Sequence, residues 1–160
     1  MIAVLADTHM PKGGRELPAR CVEKIREADA LIHAGDFSAA SVLEELEALC
    51  PVVLAVHGNV DEPELRRRLP EALEIELGGR TVAVVHDGGP KAGRLGRLRA
   101  LFPEADAVVF GHSHLPLHEA EGGFQIFNPG SPTERRRAPR RSMGLLHPTP
   151  AGLRFEHVWL

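Results

Sequence analysis

The stretch ALIHAGDFSAASVLEELEALCPVVLAVHGN, residues 30–59, decides the architecture. Ala30 to Ala34 is a short apolar run that stops at Gly35-Asp36, the pattern of a buried strand closed by turn residues. Ser38 to Leu49 then places Val42, Leu43, Leu46 and Leu49 at helical spacing. Glu44, Glu45 and Glu47 fall on the opposite side, and Ser38 or Ser41 is available as a cap. Val52 to Val56 is a second apolar run, ending at Gly58-Asn59. Upstream the pattern repeats: Ile2 to Ala6 predicts a strand ending at Asp7, and Pro18 to Asp29 a helix with Val22 and Ile25 on one face. Strand, helix, strand, helix, strand in immediate succession is the signature of a parallel sheet in an α/β fold.

Further along, Glu62 to Leu69 predicts a short charged helix. Leu73 to Leu77 and Thr81 to Val85 flank Gly78-Gly79, which predicts a hairpin. Pro90 to Phe102 predicts a basic amphipathic helix with Leu95, Leu98 and Leu101 inside. Ala107 to Phe110 is another buried strand running into Gly111-His112. Short strands follow around Pro116 to Glu119, Phe124 to Phe127, Met143 to Leu146 and Leu153 to Trp159. The last ends on Trp159-Leu160, to pair across a dimer or to close the second sheet. No repeat, linker or composition break divides residues 1–160, so one domain is expected, with both halves giving sheets to one sandwich and helices outside.

Composition narrows the function. Apolar residues make up 43% and charged residues 26% of the 160 positions, which suits a globular core and excludes disorder over most of the chain. No run of eighteen apolar residues exists, so no membrane-crossing helix is expected. The opening MIAVLAD lacks the basic front and cleavage site of a signal peptide. A net charge of -3 argues against a whole-molecule electrostatic binder of nucleic acid. Cys21 and Cys50 both fall in helix-like stretches and read as half-buried thiols of a reducing compartment, so a cytoplasmic location is expected. Nine histidines are the unusual feature.

Five short motifs each follow an apolar run: Asp7-Thr8-His9, Gly35-Asp36, Gly58-Asn59-Val60-Asp61, His86, and Gly111-His112-Ser113-His114. Singly they are ordinary turn chemistry. Together they put Asp7, Asp36, Asn59 and four histidines at the carboxyl ends of strands, where ligands bind in open α/β sheets. Clustering those groups without a cation would bury like charges and unpaired polar atoms. In an extended segment, His112 and His114 also point the same way.

The ordered set DTH, GD, GNVD, H and GHSH resembles the calcineurin-like metallophosphoesterases. The short length and the run Asn128-Pro129-Gly130-Ser131 bring the likeness to the small YfcE/MJ0936-type phosphodiesterases. The resemblance implies a four-layer αββα sandwich of the metallophosphoesterase type with a two-metal site. One metal would be held by Asp7, His9, Asp36 and His114. The other would be held by Asp36, Asn59, His86 and His112, with Asp36 bridging. Asp36, Asn59 and His86 would be catalytic, and Asn59 would also touch substrate. The Asn-Pro-Gly-Ser turn would brace the GHSH loop.

The expected reaction is metal-dependent hydrolysis of a small-molecule phosphoester, most often a phosphodiester, by a hydroxide bridging two ions about 3.5–4 Å apart. Mixed imidazole and carboxylate ligands suit Mn, Fe, Ni or Zn, with Mn favoured. Many members carry His after Gly-Asn; here Val60 offers no proton and is expected to pack under the loop, with Asp61 capping the following helix. Asp87 reads as a turn residue and His57 as structural. Two other functions stay open: a protein-binding scaffold on the same fold, as in the retromer subunit, and a nuclease. The second would use Arg135 to Arg141, five arginines in seven positions. That run otherwise reads as a solvated loop or an arm gripping a neighbouring subunit of a homo-oligomer.

Overall fold

The computed structural model describes residues 1–160. Ten strands form two five-stranded sheets. The first has the order β10-β9-β1-β2-β3, with β1 Ile2–Leu5, β2 Ala30–Ala34, β3 Val53–Val56, β9 Ser142–Thr149 and β10 Gly152–Trp159. The second has the order β4-β5-β6-β8-β7, with β4 Ala72–Leu77, β5 Arg80–Val85, β6 Ala107–Val109, β7 Leu117–Glu121 and β8 Phe124–Asn128. The helices are α1 Ala19–Arg26, α2 Ala40–Leu49, α3 Pro63–Arg68 and α4 Arg94–Leu101, with a short 3-10 turn at Lys12–Gly14.

Side-chain parity explains the layering. Ile2, Val4 and Ala6 point inward with Ile32, Ala34 and Val56 to meet Val82, Val84, Val109 and Phe127 of the other sheet. The alternate residues Ala3, Leu5 and Leu31 point outward and pack against Cys21 and Ile25 of α1 and Val42, Leu43 and Leu46 of α2. On the far side Ala83, Val108 and Ile126 cover Leu98 of α4 together with Phe102 and Phe110. Three apolar layers between four layers of structure make the expected αββα sandwich of the metallophosphoesterase type. Each buried Leu, Ile or Val contributes about 1.5–3 kcal/mol, so the central strands dominate its stability.

β1, β2 and β3 run parallel, as do β5, β6 and β8. Consecutive parallel strands end on one edge, which brings the five motif-bearing loops together. The hairpin turn at Gly78-Gly79 has φ values of 61° and 76°, the left-handed pair that a tight two-residue connection requires.

Several local expectations are corrected. Leu101 lies outside, 61% exposed, because α4 starts only at Arg94 and Phe102 takes the inner position beyond it. Neither Ser38 nor Ser41 caps α2; the side chain of Glu62 reaches over to accept the Ala40 N–H at 3.0 Å. Cys21 and Cys50 are wholly buried, and Cys50 lies just past α2. β10 does not close the second sheet: it pairs with β9 at the edge of the sheet that holds β1.

Candidate metal centre

The loops after β1 and β2 continue the parallel pairing past the strands. Asp7 N–H donates to the Gly35 carbonyl at 3.0 Å, His9 N–H to Asp36 at 3.0 Å, and Met10 N–H to Phe37 at 2.9 Å. The loop after β6 is tied in by Gly111 N–H to the His86 carbonyl at 2.9 Å and His112 N–H to Asp7 Oδ1 at 3.1 Å. These bonds hold Asp7, His9, Asp36, His112 and His114 in left-handed backbone conformations, with φ between 45° and 67°. Non-glycine residues adopt that region at an energetic cost, and concentrated strain of this kind marks functional sites.

All seven residues singled out from the sequence converge. In one group, His9 Nε2 and His114 Nε2 face each other at 3.1 Å, and Asp7 Oδ1 lies 3.6 Å from His114 Nε2. In the other, Asn59 Oδ1 lies 3.1 Å from both His86 Nε2 and His112 Nδ1. Asp36 stands between them, with Oδ2 3.3 Å from His86 Nε2 and 3.7 Å from His9 Nε2. The ligand-type atoms of Asp7, His9 and His114 lie within 4.8 Å of one another, as do those of Asp36, His86 and His112. Each triplet can hold a metal ion.

The imidazoles are oriented from behind. His86 Nδ1 donates to the Ala34 carbonyl at 2.7 Å, and His114 Nδ1 to the Glu134 carbonyl at 3.2 Å. Each bond fixes the tautomer that turns an Nε2 lone pair into the site, the usual preparation of a metal-binding histidine. Burial pushes the carboxyl of Asp7 up to about 7, and burial holds His114 down at about 4. Burial also disfavours charge on His86, yet the hydrogen bond and charge of Asp36 outweigh it and raise its affinity for a proton. Asp7 Oδ2 is buried and has no hydrogen-bond partner. A buried carboxylate with one oxygen lacking a donor and the other, Oδ1, 3.6 Å from His114 Nε2 fits a bound cation.

Sequence reading missed several supports. Asp61 does not cap α3. It is buried, and its carboxylate accepts the N–H groups of Gly58 (2.7 Å), Ser38 (2.7 Å) and Asp36 (3.1 Å). His33, fully buried beneath the site, accepts the Gly35 N–H at Nδ1 and bonds Thr8 Oγ1 through Nε2. A polar side chain inside the apolar run 30–34 was the available signal. Ser131 and Thr133 donate to the carbonyls of Asp7 and Thr8 at 2.8 and 2.7 Å, and Asn128 donates to the Gly111 carbonyl at 2.8 Å. The Asn-Pro-Gly-Ser turn therefore braces both the first and last motif loops. Val60 is 49% exposed at the rim rather than packed under the loop; its N–H points inward to Asp36 Oδ1 at 3.0 Å and its side chain faces out. Asp87 is a turn residue, accepting the Gly89 N–H.

Residues 1–150 match the family model of the calcineurin-like phosphoesterase superfamily domain. The chain belongs to the calcineurin-like phosphoesterase superfamily. A probable metallophosphoesterase of Methanothermobacter thermautotrophicus is 33% identical over 138 residues, spanning 85% of this chain and 79% of that one. The phosphodiesterase MJ0936 of Methanocaldococcus jannaschii is 22% identical over 142 residues, spanning 81% and 82%. The zinc-complexed Vps29 of Entamoeba histolytica superposes with a TM-score of 0.78 at 20% identity, covering 99% of this chain and 98% of that one, a likeness of fold. The calcineurin-like assignment agrees with the motif reading and with a phosphoester hydrolase. No helix is long and apolar enough to cross a membrane.

Proposed function

We propose that the chain is a phosphodiesterase that works with two divalent transition-metal ions. Asp7, His9, Asp36 and His114 hold one, and Asp36, Asn59, His86 and His112 hold the other. The observation that carries this reading is the position of Asp36 Oδ2 between His86 Nε2 and His9 Nε2, at 3.3 and 3.7 Å. Bound ions supply a water nucleophile at neutral pH and neutralise charge developing on the phosphoryl oxygens. The imidazole and carboxylate set suits Mn, Fe, Ni or Zn, and Mn is the first choice for assay.

The chain's own residues then have defined tasks. His86 and His114 are aimed by their Nδ1 bonds and need no reorganisation to present Nε2. The Asn59 amide, exposed at the mouth, is a hydrogen-bond donor for a phosphoryl oxygen. Exposed Val60 has no proton to give, so substrates with good leaving groups should react best. Phosphodiesters of a nitrophenol meet that condition.

The test is direct. Protein stripped of metal and refilled with Mn should cleave bis(p-nitrophenyl) phosphate, and Asp36→Asn should abolish the activity. Full turnover without metal, or none with any of the four metals, overturns the reading. In the second case, stable capture of a partner chain over the exposed rim residues Val60 and Leu115 would support the scaffold alternative.

A further inference from the structure

Beside His9 lies a recess of about 310 Å³ whose walls include Lys12, Arg15, Val60, Glu134 and Arg136. Three cationic side chains there face one carboxylate. Glu134 holds Arg15 at 3.1 Å and Arg136 at 3.5 Å, while Lys12 has no ion-pair partner. The cations come from distant segments: Lys12 and Arg15 from the loop after β1, and Arg136 from the loop after β8. Glu134 also fixes the recess to the metal centre, since its main-chain carbonyl accepts His114 Nδ1. Arg15 is held further by donating to the Lys12 carbonyl at 2.7 Å. Such an arrangement differs from a solvated charged face: it is concave, excess positive, and shares His9 with the donor set.

We propose that this recess is a subsite for a second anionic group of the substrate, bound by Lys12, Arg15 and Arg136. This deepens the phosphodiesterase reading and rests on it. The preferred substrates are then small phosphodiesters that carry a further phosphate near the scissile one. Arginine forks match phosphate oxygens two at a time, and the unpaired lysine adds a mobile point charge. The volume is at the lower end of small-ligand pockets and accommodates one such group, not a polymer. A nucleic-acid track would need more of the arginine run to face the recess. Arg135 instead donates to the Pro139 carbonyl of its own loop, and Arg137, Arg140 and Arg141 do not line the recess.

The experiment compares the p-nitrophenyl ester of thymidine 5′-phosphate with the same compound bearing a 3′-phosphate, using the Mn-loaded protein. The 3′-phosphate should raise kcat/KM at least tenfold at low salt, and the gap should close as salt rises. Lys12→Gln and Arg136→Gln should each reduce the advantage, and the double variant should erase it. Arg140→Gln makes the same charge change outside the recess and should leave the advantage intact. Equal rates for the two esters, or an equal loss in Arg140→Gln, overturn the subsite while hydrolysis itself stands. If neither ester is cleaved with Mn, Fe, Ni or Zn, the phosphodiesterase reading fails and binding decides the subsite. Calorimetry of the metal-free protein should show pyrophosphate binding at least tenfold weaker in the double variant. Undiminished pyrophosphate binding, or single-stranded DNA binding that Arg140→Gln weakens as much as Arg136→Gln, overturns it.

Discussion

The carboxylate of Asp61 accepts the main-chain N–H of Asp36 at 3.1 Å, and the same oxygen accepts Gly58 N–H at 2.7 Å. One buried side chain thus ties the loop after β2 to the loop after β3, at the residue that stands between the two donor groups. Ser38 N–H on the other oxygen makes the clamp three-pronged. Asp61→Ala would leave three N–H groups without their charged acceptor. Removing a buried charge-assisted acceptor costs about 3 kcal/mol, and loss of such support weakens metal affinity about 10- to 100-fold. Urea unfolding and Mn titration of the variant should show both effects. An unchanged Mn affinity would reduce Asp61 to a stability residue.

Two glycines should respond in opposite ways. A Cβ on Gly58 would collide with the main-chain nitrogen and carboxylate of Asp36, neither of which can give way without moving the clamp. Gly58→Ala should therefore cost activity and stability together. Gly96, inside α4 and exposed, has nothing within 4 Å of its Cβ position. Gly96→Ala should stabilise the fold by about 0.5–1 kcal/mol through the restricted unfolded chain and better helix propensity. Thermal unfolding distinguishes the two.

The thiols should be silent in the native protein. Cys21 and Cys50 are buried, and burial pushes the Cys21 thiol up to about 12, so almost no thiolate exists at pH 8. Ellman's reagent should label neither in native buffer and both in urea. Fast labelling of either under native conditions would mean that helix α1 or α2 opens readily.

These outcomes divide along the line between what was readable in the chain and what was not. Strand ends at Asp7, Gly35, Gly58, His86 and Gly111 were legible because apolar runs bounded by glycine and polar residues encode them locally. The convergence of the seven candidate ligands followed from parallel strands. The role of Asp61 was not legible: beside Glu62 and Pro63 it satisfies every local rule for a helix cap, and only the approach of residues 36 and 38 redirects it. Glu62 at the Ala40 N–H is a similar displacement. Likewise β9 and β10 carry no local mark of the sheet they join; β9 pairs beside β1 through the register Ile2↔Leu146, a contact 144 positions apart in the chain. Arg15 and Arg136 meet through Glu134 for the same reason.

His33 makes the stability of the fold depend on pH. It is wholly buried, stacked on Phe37 at 3.6 Å between ring centres, and burial depresses its pKa from 6.5 to about 3. Below pH 6.5 the unfolded chain takes up a proton that the folded chain refuses, so the unfolded state gains as pH falls. The contribution is constant above pH 7. It declines by about 1.4 kcal/mol per pH unit between 6.5 and 3, and levels off below the folded value. Other groups titrate in the same range, so the measurement is a difference. Urea unfolding of metal-free wild type and His33→Gln across pH 4 to 8 should give stabilities whose difference shrinks as pH falls. Gln is uncharged throughout and keeps a hydrogen-bonding end toward Thr8 and Gly35. A difference that stays flat with pH would mean that His33 takes a proton in the folded state, against its burial and its acceptor role toward the Gly35 N–H.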